Sequence, residues 1–600
     1  MTRVCHYLKK NAFSQSPSNV LIIDTEANIE HKADGKQFQT FRLGYAIHLM
    51  LKDGEWIETE YELHSIDELW SLLDRIAYDK KRLYVFAHNM AYDYTILKLD
   101  SYISSRKLEI KMRVIDTVFM IRAGNILFLS STNFYRQSLA ELGKIFGLSK
   151  MDSPDFEHCS DTELMPYCIR DTQVLAHVMK AHIGFIKEND LGCFKPTIAG
   201  QAFNTYRHRF MKHELLVHVY ADILELEKQS YRGGRCEAFR LGKFDNITCL
   251  DINSMYPFVM KSCEFPTKLI SSKIMTDAKV SDLMDAMKSG YFLLANCDLQ
   301  MNKPLIACKR DKLLFPVGNV RQTITSPEIE YLLQHPDSGI IRHVNSLVLY
   351  EKAAIFSDYV DYFYTFRQTT SNQAYREMSK LLMNSLYGKL GQHCSTIPKL
   401  VTDEVKRMMY LSMMEEVNSF EIFTGLTTKY VKVGEQVYQI CRQDGEFARD
   451  SIPIIASAVT SYARVLLFEL MESAGLKNVF YCDTDSLFVN EQGLANLQAF
   501  ISPTKLGMLK IEKEGSVDIR GAKDYTFNGV MKLKGVKRNA ERLSDGRFRQ
   551  FNFETKNSRY AKGTPDGIVI LSPVIKSLTG TYTKGIVLGD HVEPFSFSEF

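Results

Sequence analysis

Short apolar, β-prone runs that stop at an acidic residue recur along this chain. Val20-Leu21-Ile22-Ile23 stops at Asp24-Thr25-Glu26, Ile247-Thr248-Cys249-Leu250 at Asp251, and Val479-Phe480-Tyr481-Cys482 at Asp483. Each pattern predicts a core strand ending in a carboxylate, where charge is costly unless it is used or solvated. Leu83-Tyr84-Val85-Phe86-Ala87 predicts another strand, leading into His88-Asn89-Met90-Ala91-Tyr92-Asp93. After Asp483-Thr484-Asp485-Ser486 comes a second apolar run, Leu487-Phe488-Val489, so that stretch reads strand, tight turn, strand. Side chains two apart in an extended segment point the same way, which would let Asp483 and Asp485 face one pocket. Carboxylates held that close repel, and a divalent cation relieves the repulsion. An Asp-rich hairpin turn explains most such strings by itself.

Helical spacing marks other segments. Tyr167 and Asp171 are four apart and share one helix face, with the helix continuing through Thr172–His182. Lys380, Asn384 and Tyr387 form one polar stripe, with Leu381, Leu382 and Leu386 turned elsewhere. A long helix is predicted from Ile454 to Glu472, ending near Gly475, and Thr325-Ser326-Pro327-Glu328 reads as a capped helix start. Tyr430-Val431-Lys432-Val433 alternates as in a hairpin. In Tyr231-Arg232-Gly233-Gly234-Arg235 the glycines permit close backbone approach and the arginines suit phosphate, although a plain turn is the default.

Composition adds little. The 600 residues allow about four domains of ordinary size, and 45% hydrophobic with 24% charged residues is an ordinary globular balance. A net charge of +3 neither demands nor forbids nucleic acid, because a basic footprint can be local. Twelve cysteines without a C-x-x-C pair predict reduced thiols rather than a zinc site or a disulfide framework. No apolar run reaches the length of a bilayer span, and the first residues lack a signal-peptide core, so no membrane association is expected.

Three acidic clusters in the order D-x-E, N-x-x-x-D and Y-x-x-x-D could converge on two metals and align a water for phosphodiester hydrolysis. In that order they resemble the three exonuclease motifs of the proofreading domain of family B DNA polymerases, an RNase H-like fold. The resemblance implies that Asp24, Glu26, Asp93 and Asp171 ligate metal and that Tyr167 orients the attacking water. It places Thr25, Asn89 and Tyr92 on the frayed primer end, with Phe86 and His88 near it. Lys150 falls where small members carry a catalytic lysine, with Lys144 as the competing position.

Further along, Asp251-Ile252-Asn253-Ser254-Met255-Tyr256-Pro257 resembles motif A, Lys380 to Gly388 motif B, and Tyr481 to Ser486 motif C of the same family. Tyr231 with Gly233 and Gly234 resembles its template-contacting Y-x-G-G linker, and Lys523-Asp524-Tyr525 its primer-contacting K-x-Y motif. The implied roles follow. Asp251, the Ile252 carbonyl and Asp485 hold two Mg²⁺, for which Mn²⁺ can substitute, and Asp483 gives catalytic support. Ser254, Tyr256, Arg367, Lys380, Asn384 and Tyr387 receive the dNTP, and Lys523 and Tyr525 meet DNA. The basic run Lys532 to Arg538 suits phosphate or a solvated surface.

The intervals between motifs A and B and between B and C exceed what a minimal palm and fingers need, and loops that long are usually functional units. They resemble the two insertions of the protein-primed subgroup found in phages and linear plasmids. The expected fold is therefore a multidomain α/β and α+β chain: an RNase H-like 3′–5′ exonuclease domain at 1–190 followed by a right-hand polymerase. Its parts are the start of the palm with linker and motif A at 191–261, a first insertion at 262–355, fingers at 356–390, a second insertion at 391–450, palm at 451–530 and thumb at 531–600. Expected partners are template–primer DNA, dNTPs, a terminal priming protein and a single-stranded-DNA-binding protein, around a monomer in a host cytoplasm or organelle. The rivals are a nucleic-acid-primed or primer-independent family B polymerase and, in another class, a nuclease or DNA-binding protein with an inactive palm.

Overall fold

The computed structural model describes residues 3–598 apart from 78–80, 116, 394–398, 402, 415–418, 424–426, 434–435, 442–446, 557, 559–565 and 579. Part of the expected second insertion thus lies outside the described residues.

The chain begins with a long antiparallel pair, β1 (Asn19–His31) and β2 (Gln37–Lys52). Next come β3 (Leu83–Ala87), α1 (Met90–Ile96) and β4 (Ile126–Ser130), with β3 parallel to β1 and β4 parallel to β3. Parallel core strands are covered on both faces, which suits the wholly buried Val20–Ile23 and Val85–Ala87. The expected stop of β1 at Asp24 is not observed. Its backbone keeps ladder partners on β2 as far as His31, and alternation sends Asp24 and Glu26 to one face while Thr25 and Ala27 are buried on the other. Helix α2 (Asp161–Glu188), opened by a Ser160–Glu163 capping box, packs across β1 and β2.

A second, seven-stranded antiparallel sheet is built around β5 (Gly242–Ile252). Two helices, α3 (Ser357–Thr369) and α4 (Gln373–Leu390), pack on each other, and α4 also meets α5 (Pro453–Ala474). By length and composition α5 could cross a membrane, contrary to the sequence expectation. Most of it is buried inside the protein, so its apolarity reflects a core helix. Strands β6 (Val479–Asp483), β7 (Ser486–Val489), β8 (Leu509–Gly521), β9 (Asp524–Phe527) and β10 (Val530–Leu533) complete the sheet. Its order is Cys236–Ala238, β6, β7, β5, β8, β9, β10. Residues 262–355 supply most of a six-stranded sheet and a helix, Ser326–Gln334, capped by Thr325 and Glu328. Within 391–450, four strands pair as one sheet, with Thr427–Val433 and Gln436–Cys441 as an antiparallel pair.

The C-terminal segment, expected as a small thumb, returns to the N-terminal sheet. β11 (Phe548–Phe553) and β12 (Ile568–Lys576) extend the N-terminal sheet, where β12 pairs with β2 from Gln37 to Thr40. Buried Lys556 anchors this return: its Nζ lies 2.6 Å from Asp100 Oδ2, and Asp100 also pairs with Arg113 at 3.2 Å. Ser596–Phe597 pairs instead with Val317–Gly318. The described residues of 531–600 therefore contribute strands to four different sheets.

Candidate active sites

Four acids from three elements meet beneath α2. Asp24 and Glu26 come from β1, Asp93 from the first turn of α1 and Asp171 from α2. Thr25 Oγ1 donates to Asp93 Oδ1 at 2.8 Å. Burial, followed by repulsion from Asp93, Glu26 and Asp171, drives Asp24 far above the usual carboxylate range. Burial and then Asp171 and Asp93 push Glu26 to about 8, and burial pushes Asp93 to about 7 against the Thr25 hydrogen bond. Lys150 Nζ lies 2.5 Å from Asp171 Oδ2 and donates to Tyr167 Oη at 2.8 Å. Burial alone would lower its pKa, but the bonds to Asp171 and Tyr167 raise it. Lys144 stands exposed on the Leu139–Phe146 helix, so of the two competing lysines the structure brings Lys150 to the acids.

Only some of the expected DNA-contacting residues near these acids reach solvent. Asn89 is exposed in the left-handed region at φ 68°, a conformation asparagine tolerates. Tyr92 Oη donates to Gln39 Oε1 at 2.9 Å, and His88 Nδ1 is 2.8 Å from Ser131 Oγ. Burial and then Lys150 push His88 down to about 4. Phe86 does not fit a DNA-contacting role. It is wholly buried, with its ring edge-on to Phe194, because residues of a doubly covered strand alternate into core on both sides.

The second acidic site lies at the β6–β7 hairpin. β6 ends at Asp483, Thr484 takes φ 66°, and Asp485 falls in the turn, so the same-face rule for extended chain does not govern this pair. Asp483 instead lies between Lys523 Nζ at 3.3 Å and Lys532 Nζ at 3.5 Å. Asp251, near the end of β5, stands opposite Ser486 on β7. The Ile252 N–H donates to the Asp485 carbonyl at 2.8 Å, which ties the turn to β5. Burial and then repulsion by Asp251 push Asp485 to about 6. Burial also raises Asp251, opposed by Lys510, whose Nζ is 3.5 Å from Asp251 Oδ2 and also pairs with Glu512.

Around these carboxylates, Arg367 Nη1 donates to Ser254 Oγ at 3.4 Å, and the Tyr256 and Tyr387 rings stack with centroids 4.7 Å apart. Lys380 and Asn384 lie exposed on α4, whereas Leu382 and Leu386 are buried, as the stripe predicts. Tyr525 is flanked by Tyr481 and Phe488, with Lys532 Nζ 5.6 Å from its ring centroid. A Cβ on Gly234 would lie 2.9 Å from Thr484 Cγ2 and 3.1 Å from Tyr256 Oη, so glycine lets this segment press on the Asp483–Ser486 turn. A Cβ on Gly233 would meet nothing, and Tyr231 closes against Gly391. Arg235 is not free for phosphate: it is buried, donates to Glu237 at 2.7 Å and to the Pro304 carbonyl, and lies 4.2 Å from the Phe315 ring centroid.

Three residues here escaped the sequence reading. Lys510 carried no motif. Lys532 stood in the basic run but with no sign that it meets Asp483. Buried Arg464 on α5 donates to the carbonyls of Arg232 and Gly233 and to Glu328, joining that glycine segment, the core helix and the Ser326–Gln334 helix. No sequence pattern singled it out inside an apolar helix.

Both acidic sets have the donors a hard divalent ion takes, carboxylate oxygens held against mutual repulsion. At the first, Asp171 Oδ1 is buried and has no hydrogen-bond partner, an oxygen positioned for a ligand.

The family model for DNA polymerase type B, organellar and viral, matches residues 160–472. A probable DNA polymerase of Neurospora intermedia is 26% identical over 340 residues, which cover 55% of this chain and 34% of that protein. The DNA polymerase of Bacillus phage phi29 is 22% identical over 302 residues, 47% of this chain and 46% of that one. The chain spans about a third of the length of the Neurospora and Podospora relatives. Its fold is similar to that of phi29 DNA polymerase complexed with primer–template DNA and incoming nucleotide substrates, with a TM-score of 0.66 and 14% identity, covering 94% of this chain and 100% of that one. With just over half of its length matched by the family model, the chain belongs to the type B DNA polymerases of the organellar and viral kind.

Proposed function

We propose that this chain is a DNA-directed DNA polymerase with a 3′–5′ proofreading exonuclease, and that it starts synthesis on a protein primer. The observation that carries the reading is the presence in one chain of two separate carboxylate sites. One is Asp251 with Asp485, and the other is Asp24, Glu26, Asp93 and Asp171 beside Lys150 and Tyr167. Residues 1–190 hold the degrading site, and 191–261, 356–390 and 451–530 hold the synthetic one. The units at 262–355 and 391–450 are the regions that engage the primer protein and DNA.

Two Mg²⁺ ions, or Mn²⁺ in their place, belong at each site, held by Asp251, Asp485 and the Ile252 carbonyl at one and by the four acids at the other. When bound they supply charge neutralisation at the reacting phosphate and a more acidic nucleophile. The chain's own side chains do the rest. Arg367 and Lys380 neutralise the triphosphate, and the Tyr256–Tyr387 stack walls the sugar with Ser254 and Asn384 beside it. Lys523, Tyr525 and the Tyr231–Gly234 linker bear on primer and template, while Asp483 holds Lys523 and Lys532 in place. Tyr167, fixed by Lys150, orients water in the degrading site, and Thr25, Asn89, Tyr92 and His88 line the approach of a single strand. The setting is a host cell's cytoplasm or an organelle, with a single-stranded-DNA-binding protein as an auxiliary.

Incubation with a candidate terminal protein, labelled dATP and Mg²⁺ tests the priming step. Label bonded to an amino-acid hydroxyl of that protein is the expected result. Extension of a DNA primer with no label on protein would leave an ordinary family B polymerase.

A further inference from the structure

One donor in the degrading site is chemically out of place among carboxylates. Cys168 follows Tyr167 on α2 and is wholly buried, its thiol not in a disulfide. Its Sγ lies 3.8 Å from Asp24 Oδ2 and donates to the Asp24 carbonyl at 3.5 Å. Ligand atoms of Asp24, Glu26 and Cys168 all fall within 4.8 Å of one another, the one such group among the described residues.

We propose that Cys168 turns this site into a trap for thiophilic divalent ions, Zn²⁺ or Cd²⁺, whose binding shuts off the 3′–5′ degradation proposed for it. With Zn–S of about 2.3 Å and Zn–O of about 2.1 Å, two ligands of one tetrahedral ion stand about 3.5 Å apart, close to the Sγ–Oδ2 separation observed. Glu26 gives a third donor. Asp171 Oδ1, buried and without a hydrogen-bond partner, stands beside this group, near enough that its charge raises Asp24 and Glu26, and leaves the fourth position to water. Mg²⁺ asks for oxygen ligands in octahedral geometry and gains nothing from sulfur, whereas thiolate selects the softer ions. On binding, the S–H bond breaks and an S–metal bond forms. The proton leaves to water, and no electron is transferred. The Asp251–Asp485 site has no thiol in its ligand set, so synthesis tolerates Zn²⁺ that stops degradation.

The full chain, freed of metal, is titrated with Cd²⁺ while thiolate-to-metal charge transfer is followed by ultraviolet difference absorption. The wild type is expected to bind one more thiolate-bound Cd²⁺ than either Cys168→Ser or Asp24→Asn, with thermal unfolding used to verify that both variants fold. If Cys168→Ser does not fold, Cys168→Ala takes its place. An unchanged band in the Cys168 variant overturns the proposal. So does a band lost there but kept in Asp24→Asn, since the thiol would then bind away from the acids. The absorption needs no nuclease activity, so a chain that binds Cd²⁺ in this way but never degrades DNA would sink the exonuclease reading and leave the metal trap standing.

Discussion

Neutralising Asp485 should make the metal-free protein more stable while destroying its synthesis. In the fold, burial and the neighbouring Asp251 push the Asp485 carboxyl from its ordinary 3.8 to about 6. A shift of about 2 units is worth about 3 kcal/mol between its two protonation states. Because the folded pKa is the higher one, the native state favours the protonated acid. Stability is therefore full below about pH 4, falls as pH rises to about 6, and stays reduced above that. Asp485→Asn carries no charge to desolvate and escapes the loss. Scanning calorimetry in EDTA should show the variant more stable by about 3 kcal/mol near pH 8 and equal to wild type near pH 4. Adding Mg²⁺ should narrow the gap near pH 8 by stabilising the wild type more. Equal stabilities near pH 8, or a gap that persists near pH 4, would refute the electrostatic account of this site.

Three other variants probe the remaining geometry. Gly234→Ala sets a methyl 2.9 Å from Thr484 Cγ2, an overpacking worth about 1–3 kcal/mol, and should slow primer extension while sparing single-strand degradation. Lys150→Met removes the cation shared by Asp171 and Tyr167, and should cut degradation by about 10²–10⁴-fold without changing extension rates. Arg235→Leu leaves Glu237 buried without its ion-pair partner, and should cost about 3–5 kcal/mol, read as a lowered unfolding temperature.

What the sequence revealed was mostly what local patterning controls. The β6–β7 hairpin, the strand Leu83–Ala87 and the stripe on α4 each depend on neighbours within a few residues, and each appears as read. The run of β1 past Asp24 was hidden because acids in a strand interior look like a strand end until β2 supplies ladder partners. The return of β12 to β2 was hidden for a stronger reason. A strand's partner more than 500 residues away leaves no mark in its own alternation, and Lys556 gives no sign that it pairs with Asp100. At the sites, motif spacing located the carboxylates but not the cations that accompany them. Lys510 reaches Asp251 because β8 pairs with β5, and Lys532 reaches Asp483 from β10, at the far end of the strand order from β6. Phe86 erred in the other direction, since a motif-adjacent aromatic on a doubly covered strand is core.

Two carboxylate sites that work independently in one chain can be abolished one at a time. The most direct test puts Asp485→Ala and Asp24→Ala on the same primer–template DNA with Mg²⁺, measuring extension with dNTPs and 3′–5′ shortening without them. Asp485→Ala is expected to lose extension and keep shortening, and Asp24→Ala to do the reverse. Extension that survives Asp485→Ala, or both activities lost in either variant, would contradict the account.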